Sequence, residues 1–215
     1  MLRRSRAFAH FVAAAPGAKE LITIGKVVNL ARPDPHSGTP PSYDRVIIDG
    51  PSTGHALGML AAPRTVGEVA RIGRVGAEAR ELQDVLEDAG TIAYVGVSLP
   101  EEMSVHEVVE LERGLPDEIG RGLDLIVVNG MYPDPFSDAE AEQLRAAAQR
   151  TPAAWALRAA LAHHRRARIQ AGHLRWLRRH ARAPVITLPF LFVPTIGPPE
   201  CEALAQALVG GPVPK

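Results

Sequence analysis

Four short apolar runs constrain this chain more than any other feature of its sequence. They are RVIID at 45–49, TIAYVGVS at 91–98, DLIVVN at 124–129 and PVITL at 184–188. Continuous valine- and isoleucine-rich runs of this length, without polar alternation, predict strands buried on both faces. The stretches between them have helical period. Residues 64–86 place Val66, Val69, Ala70, Ile72, Leu82, Val85 and Leu86 at three- and four-residue spacings, with Gly67, Gly73 and Gly76 expected to break the helix into pieces. Residues 104–115 open on Ser104 and Glu107, the spacing of a capping box. Residues 138–149 and 153–182 are rich in alanine and arginine, both strong helix formers, with Pro152 as the breaker between them. Strands alternating with helices imply right-handed crossovers. The expected fold is α/β, a mostly parallel sheet with helices on both faces.

In such a sheet ligands bind beyond the carboxyl ends of the strands, so the tail of each run is where a site belongs. The tails are Asp49-Gly50-Pro51-Ser52-Thr53-Gly54-His55, Leu99-Pro100-Glu101-Glu102, Asn129-Gly130 and Pro189-Phe190. The proline-rich stretch 31–42 is expected to be an exposed loop and 210–215 a frayed tail.

Composition narrows the function classes. Apolar residues make up 46% and charged residues 22% of the 215, as in a globular protein. Lysine plus arginine equal aspartate plus glutamate, so net charge selects no partner. The single cysteine, Cys201, can form neither an internal disulfide nor a thiolate metal site, which fits the cytoplasm. No apolar run is long enough to span a bilayer. The start is basic, but residues 7–15 are broken by His10 and lack a cleavage site, so no leader peptide is expected.

The first run and its tail, VIIDGPSTGH, carry the most chemistry. An apolar strand ending in aspartate has the form of a Walker-B strand, which brings a carboxylate to the magnesium shell of a nucleotide. The small residues after it let backbone amides approach a phosphate closely. A buried strand that merely ends in a turn aspartate has the same short pattern. The longer string decides between the two. DGPSTGH, followed by Leu57, Leu60 and Ala62-Pro63-Arg64-Thr65, closely resembles the switch II region of the ArsA family of ATPases. That family includes arsenical-pump and tail-anchored-protein targeting members. Further blocks follow the same order. Pro16-Gly17-Ala18-Lys19-Glu20-Leu21 resembles the segment upstream of that strand. Ser98-Leu99-Pro100-Glu101-Glu102-Met103-Ser104-Val105 resembles the LPEEMPVNE block, with Ser104 and His106 replacing proline and asparagine. Val127-Val128-Asn129 and Leu188-Pro189-Phe190 resemble the adenine-reading strand and the loop that packs on the base.

The resemblance implies ATP and Mg2+ as ligands, on a P-loop NTPase-like fold. Asp49 would sit in the metal shell. Gly50, Pro51, Ser52, Thr53, Gly54 and His55 would form a loop that senses γ-phosphate. Asn129 would hydrogen-bond adenine, and Pro189 and Phe190 would seat it. The phosphate loop GxxxxGK[ST] and its strand are missing from this sequence. The pair Gly25-Lys26 is a decoy, since Val27 follows it and Glu20 stands where the first glycine is required. Residues 1–215 thus read as a single partial domain, expected to hydrolyse ATP poorly or not at all alone.

On this reading the chain couples nucleotide state to a client or partner protein, as a homodimer or paired with a complete ArsA-type subunit. The alternative is a catalytically silent module that docks on such a subunit or on a polyanion. An arsenite site would need several thiolates, and a zinc bridge a Cys-x-x-Cys pair; neither is present. Met59, Met103 and Met131 are scattered, and are expected in core or loops rather than in a client groove. Residues 143–182 hold ten arginines and no acidic residue. With few aromatics among them, a solvated helix face is favoured over a nucleic-acid surface. His163, His164, His173 and His180 lie on that helix with no carboxylate nearby in sequence, so solvated histidines are expected there rather than a metal site.

Overall fold

A parallel sheet forms where three of the four runs lie; the remaining run, 45–49, has no ladder partner among the described residues. The computed structural model describes residues 17–32, 40–41, 43–152 and 154–210. In chain order its elements are α1 (Ala18–Ala31), α2 (Thr53–Val69), α3 (Arg74–Glu87), β1 (Val95–Ser98), α4 (Glu102–Ile119), β2 (Leu125–Met131), α5 (Asp138–Ala148), α6 (Ala154–His180), β3 (Val185–Pro189) and α7 (Pro198–Gly210). The strands pair in the order β1-β2-β3, all parallel. Most of the expected loop 31–42 and of the tail 210–215 lies outside the described residues, as do residues 1–16.

The chain divides into two units. One is helical, residues 17–93 with 113–122; the other holds the sheet, residues 94–112 with 123–210. In the helical unit α1, α2 and α3 pack on one another. Ile24, Leu60, Ala62, Val66, Ala79, Leu82, Val85 and Leu86 are buried there. The last turn of α4 belongs to this unit, and a helix end leaves its final carbonyls without helical partners. Arg64 donates to the carbonyls of Asp117 and Glu118, and Gln83 Nε2 donates to Glu118 at 3.0 Å.

In the sheet unit one core cluster joins Val105, Val108 and Val109 of α4, Ile126 and Val128 of β2, Leu177 of α6 and Ala183. The i, i+3, i+4 spacing on α4 meets the i, i+2 spacing on β2, which is how a helix face lies on a sheet face. Gly96 makes the approach of α4 to β1 possible. A Cβ added there would lie 2.7 Å from Val108 Cγ2 and 2.8 Å from Leu123 Cδ1. Gly96→Ala is therefore expected to cost about 1–3 kcal/mol through overpacking, read as a lower urea midpoint at unchanged slope.

Several sequence expectations are corrected. Residues 45–49 form no strand; they have no regular structure and no ladder partner among the described residues, and Ile47 is 94% exposed. A strand is a property of a pair, and no neighbour completes this one. The helix over 64–86 breaks only at residues 70–73, and α2 begins at Thr53, earlier than expected. Ser104 caps nothing at a helix start, because α4 begins at Glu102. Its hydroxyl instead accepts from the Leu99 amide at 2.9 Å and meets Ser98 Oγ at 3.1 Å. The capping box present here is Ser137 with Glu140, at the start of α5.

The basic helix α6 has Arg158, Arg165, Arg166, Arg168, Arg175, Arg178 and Arg179 exposed. Its histidines are not uniformly solvated. His164 is buried, with Nδ1 2.7 Å from Asp134 Oδ1 and Nε2 3.8 Å from Asp138 Oδ1. Both carboxylates come from a segment far upstream, out of reach of local sequence reading. Met103 is exposed, Met59 half-buried, and Met131 packs at the edge of the sheet core.

Candidate nucleotide site at the sheet edge

The carboxyl ends of β2 and β3 are held together by an irregularity. Val128 pairs with Thr187, but the next pair is Met131 with Pro189, so β2 carries one residue more than its partner. This β-bulge falls at Asn129-Gly130, with Gly130 at φ +82°. Left-handed backbone is open to glycine and strained for other residues. A bulge re-aims the side chains beside it. Asn129 is exposed there, at the end of a strand whose preceding residues Ile126, Val127 and Val128 are buried. Its carboxamide presents one donor group and one acceptor to whatever lies beyond the sheet.

Beyond the bulge the Phe190 amide donates to Met131 O at 2.9 Å. A Cβ on Gly130 would stand 3.9 Å from Phe190 Cδ2. The structure thus brings together the expected base-reading residues Asn129, Pro189 and Phe190, from two neighbouring strand ends. An aromatic cluster adjoins them. Tyr132 meets Phe190 edge-on at 4.7 Å between centroids, stacks with His163 at 5.1 Å and lies 5.6 Å from Phe192. Arg166 lies over the Tyr132 ring, 5.4 Å from its centroid, and Nη1 donates to the phenol oxygen at 3.3 Å. His163 Nε2 sits 3.0 Å from Pro133 O.

Tyr132, Arg166, Gln170 and Phe192 also line this region without being singled out by the sequence reading, and His163 is expected there only as a solvated histidine. A signal existed for three of them. His163, Arg166 and Gln170 are spaced i, i+3, i+7 and so share one face of α6. What that face meets, the segment 130–134, is not readable from spacing.

That segment leads into α5 through its capping box. Glu140 Oε2 accepts from the Ser137 amide at 2.8 Å, and Ser137 Oγ accepts from the Glu140 amide at 3.3 Å. The backbone hydrogen bond from Ser137, then the one from its hydroxyl, holds the Glu140 carboxyl below its ordinary value of 4.5. A depressed carboxyl stabilises the fold above its unfolded pKa, and the contribution fades as pH falls through the lower folded value. Acidification from pH 5 is expected to fray the first turn of α5 before the sheet. Faster amide exchange at Glu140 would report it, and exchange indifferent to pH beyond its intrinsic dependence would refute it.

Asp49 and the segment Gly50–His55 belong to the helical unit. Asp49, Gly50, Pro51 and Ser52 are irregular and exposed; Thr53, Gly54 and His55 are already the first turn of α2, so only half of the expected loop is loop. Ser52 is the N-cap, but its side chain caps no amide; its hydroxyl lies 3.4 Å from His55 Nδ1. Side chains added at Gly50 or Gly54 would meet nothing within 4 Å. A helix start with uncapped amides and open space around it favours anions. Among the described residues no group of three histidine, cysteine, aspartate or glutamate side chains is placed to hold a metal. A lone carboxylate such as Asp49 suits magnesium, which keeps several waters and takes one or two carboxylates besides phosphate oxygens.

No protein-family model matches the chain. It is similar to a protein of Halobacterium salinarum named "Putative arsenical pump-driving ATPase", at 30% identity over 115 residues. That match covers 45% of this chain and 17% of the relative's length.

Proposed function

We propose that this chain is the switch- and base-binding part of an ArsA-type ATPase domain on a P-loop NTPase-like fold. The observation that carries the reading is the sheet edge, where Asn129 stands exposed on a glycine bulge beside Pro189 and Phe190. The similarity to the halobacterial protein supports it independently of that geometry. In this reading the Asn129 carboxamide bonds an adenine edge, and Pro189, Phe190 and Tyr132 exclude water from the base. Asp49 orients the water shell of a magnesium ion, and the open start of α2 follows the γ-phosphate. Magnesium supplies charge neutralisation at the phosphates when bound. Loss of γ-phosphate releases residues 50–55, and that order change is what a client protein, a second copy or a complete ArsA-type subunit in the cytoplasm would read.

The sequence contains no GxxxxGK[ST] loop, so the lysine and amide cradle for the β-phosphate must come from outside these 215 residues. This favours a second reading as well: residues 1–215 as a silent module that binds nucleotide weakly, or not at all, and docks on a complete subunit.

Calorimetric titration of Mg2+–ATP into the purified chain, then into an in-frame upstream extension carrying a phosphate loop, separates the two. Turnover and tight binding confined to the extended form support the ATPase reading. A folded chain that binds no nucleotide in either form would sink it and leave the docking module.

A further inference from the structure

Ladder pairing on the β1 side of β2 ends at Ser98 with Val128, yet β2 continues to Met131. In a parallel ladder a residue of the neighbouring strand donates its N–H to the carbonyl of residue i−1. Its own carbonyl accepts from the N–H of residue i+1. The Gln170 side chain makes that same pair of bonds around Met131. Its Nε2 donates to Gly130 O at 3.3 Å and its Oε1 accepts from the Tyr132 amide at 2.8 Å. The backbone partners fix which end of the carboxamide is which, because an amide can only donate and a carbonyl can only accept. Gln170 is itself buried, at 9% exposure, in the middle of α6.

We propose that Gln170 is the positioning residue of the nucleotide site. Its carboxamide replaces one residue of a missing strand, pins the chain on both sides of Met131, and so fixes the bulge that aims Asn129. This rests on the nucleotide reading above and deepens it: base selectivity, and not only stability, is set from α6. Glutamine suits the role because one planar group supplies a donor and an acceptor at peptide-like spacing. Leucine fills the volume and offers neither; glutamate keeps the acceptor and loses the donor.

The test uses the chain and its in-frame upstream extension with Mg2+–ATP and Mg2+–GTP as probes, and reads the ratio of their dissociation constants in the form that binds. Wild type is expected to prefer ATP. Gln170→Leu is expected to reduce that preference about tenfold, as two hydrogen bonds' worth of ordering is lost. The Tyr132 amide should exchange faster in the same variant. Gln170→Glu should fall between, with Tyr132 still protected, and it carries the comparison if the leucine variant does not fold. Equal loss of affinity for both nucleotides, or an unchanged ratio, would mean a merely structural glutamine and overturns the inference alone. Wild type that binds neither nucleotide in either form overturns the nucleotide reading itself, and this inference with it.

Discussion

Replacing Glu112 by alanine is expected to cost about 3–5 kcal/mol, as much as emptying a core position of the sheet unit. Glu112 is 3% exposed on α4, and its carboxylate accepts from two backbone amides. Oε1 accepts from Ala183 at 2.7 Å, and Oε2 accepts from Arg182 at 2.9 Å. Those amides lie in the short connection between α6 and β3. The same connection offers the Pro184 carbonyl to the Ile126 amide at 2.8 Å, so it also starts the β2–β3 ladder. Alanine would leave two buried donors unanswered and remove charge-assisted bonds, each stronger than a neutral one. Glu112→Gln keeps the shape but turns an N–H toward an N–H, and should cost less, about 1–2 kcal/mol. Chemical denaturation measures both, and for a chain of this size the alanine variant should melt roughly 6–15 °C lower. A loss under about 1 kcal/mol would mean that water reaches the connection and satisfies it, contrary to the burial of Glu112 and Ala183.

The parallel sheet is legible because all three strands lie in apolar runs, but the expectation of burial on both faces fits only Ile126–Val128 of β2; Val95 and Val97 of β1 are exposed, and β3 is half-buried throughout. Apolar composition misleads at residues 45–49. RVIID has the composition of a central strand, but composition records how well a segment tolerates burial, not whether a neighbour is there to bury it. Strand ends drifted by one to four residues where the backbone, rather than the side chains, decides. Residues 91–94 were expected to open β1; Thr91 instead belongs to a turn in which Asp88 Oδ1 accepts from the Gly90 amide at 2.9 Å. The Ser-x-x-Glu pattern occurs at both Ser104 and Ser137, and local spacing cannot rank them. Tertiary context does: Ser104 is drawn to the end of β1, and Ser137 is left free to cap α5.

Only the local part of the candidate site can be named from sequence. Asn129 and Pro189-Phe190 could be named because they end apolar runs, where a parallel sheet presents its ligands. The bulge could not, since one extra residue in β2 is visible only against its partner strand. Gln170, Tyr132 and His163 meet across 31 to 38 positions of sequence, and the His164–Asp134 pair across 30. A single sequence encodes such contacts without marking them. All six residues of GPSTGH read as a loop by composition, yet Thr53 already turns into α2. Threonine, glycine and histidine are weak helix formers, and the well-packed remainder of the helix carries them along.

Asp49→Asn is expected to remove magnesium-dependent turnover, by at least about 100-fold, in any form of the domain that carries a phosphate loop. Asparagine matches aspartate in shape, so the substitution isolates charge. Asp49 is exposed in irregular chain, four residues before the first helical residue of α2, and its exposure makes the fold indifferent to it. The melting temperature should therefore stay within about 1–2 °C of wild type, since exposed substitutions cost little. What the variant loses is a negative charge near the metal's water shell, where the developing phosphate charge must be balanced. The loss should appear in kcat with phosphate release as the readout, while ATP binding without magnesium is unchanged, because the proposed reading assigns base binding to Asn129 and the aromatic seat instead. Full activity in Asp49→Asn would remove Asp49 from the metal shell. The unpaired RVIID segment would then be an apolar edge with no catalytic carboxylate, and the reading of residues 49–55 as a phosphate sensor would fall with it.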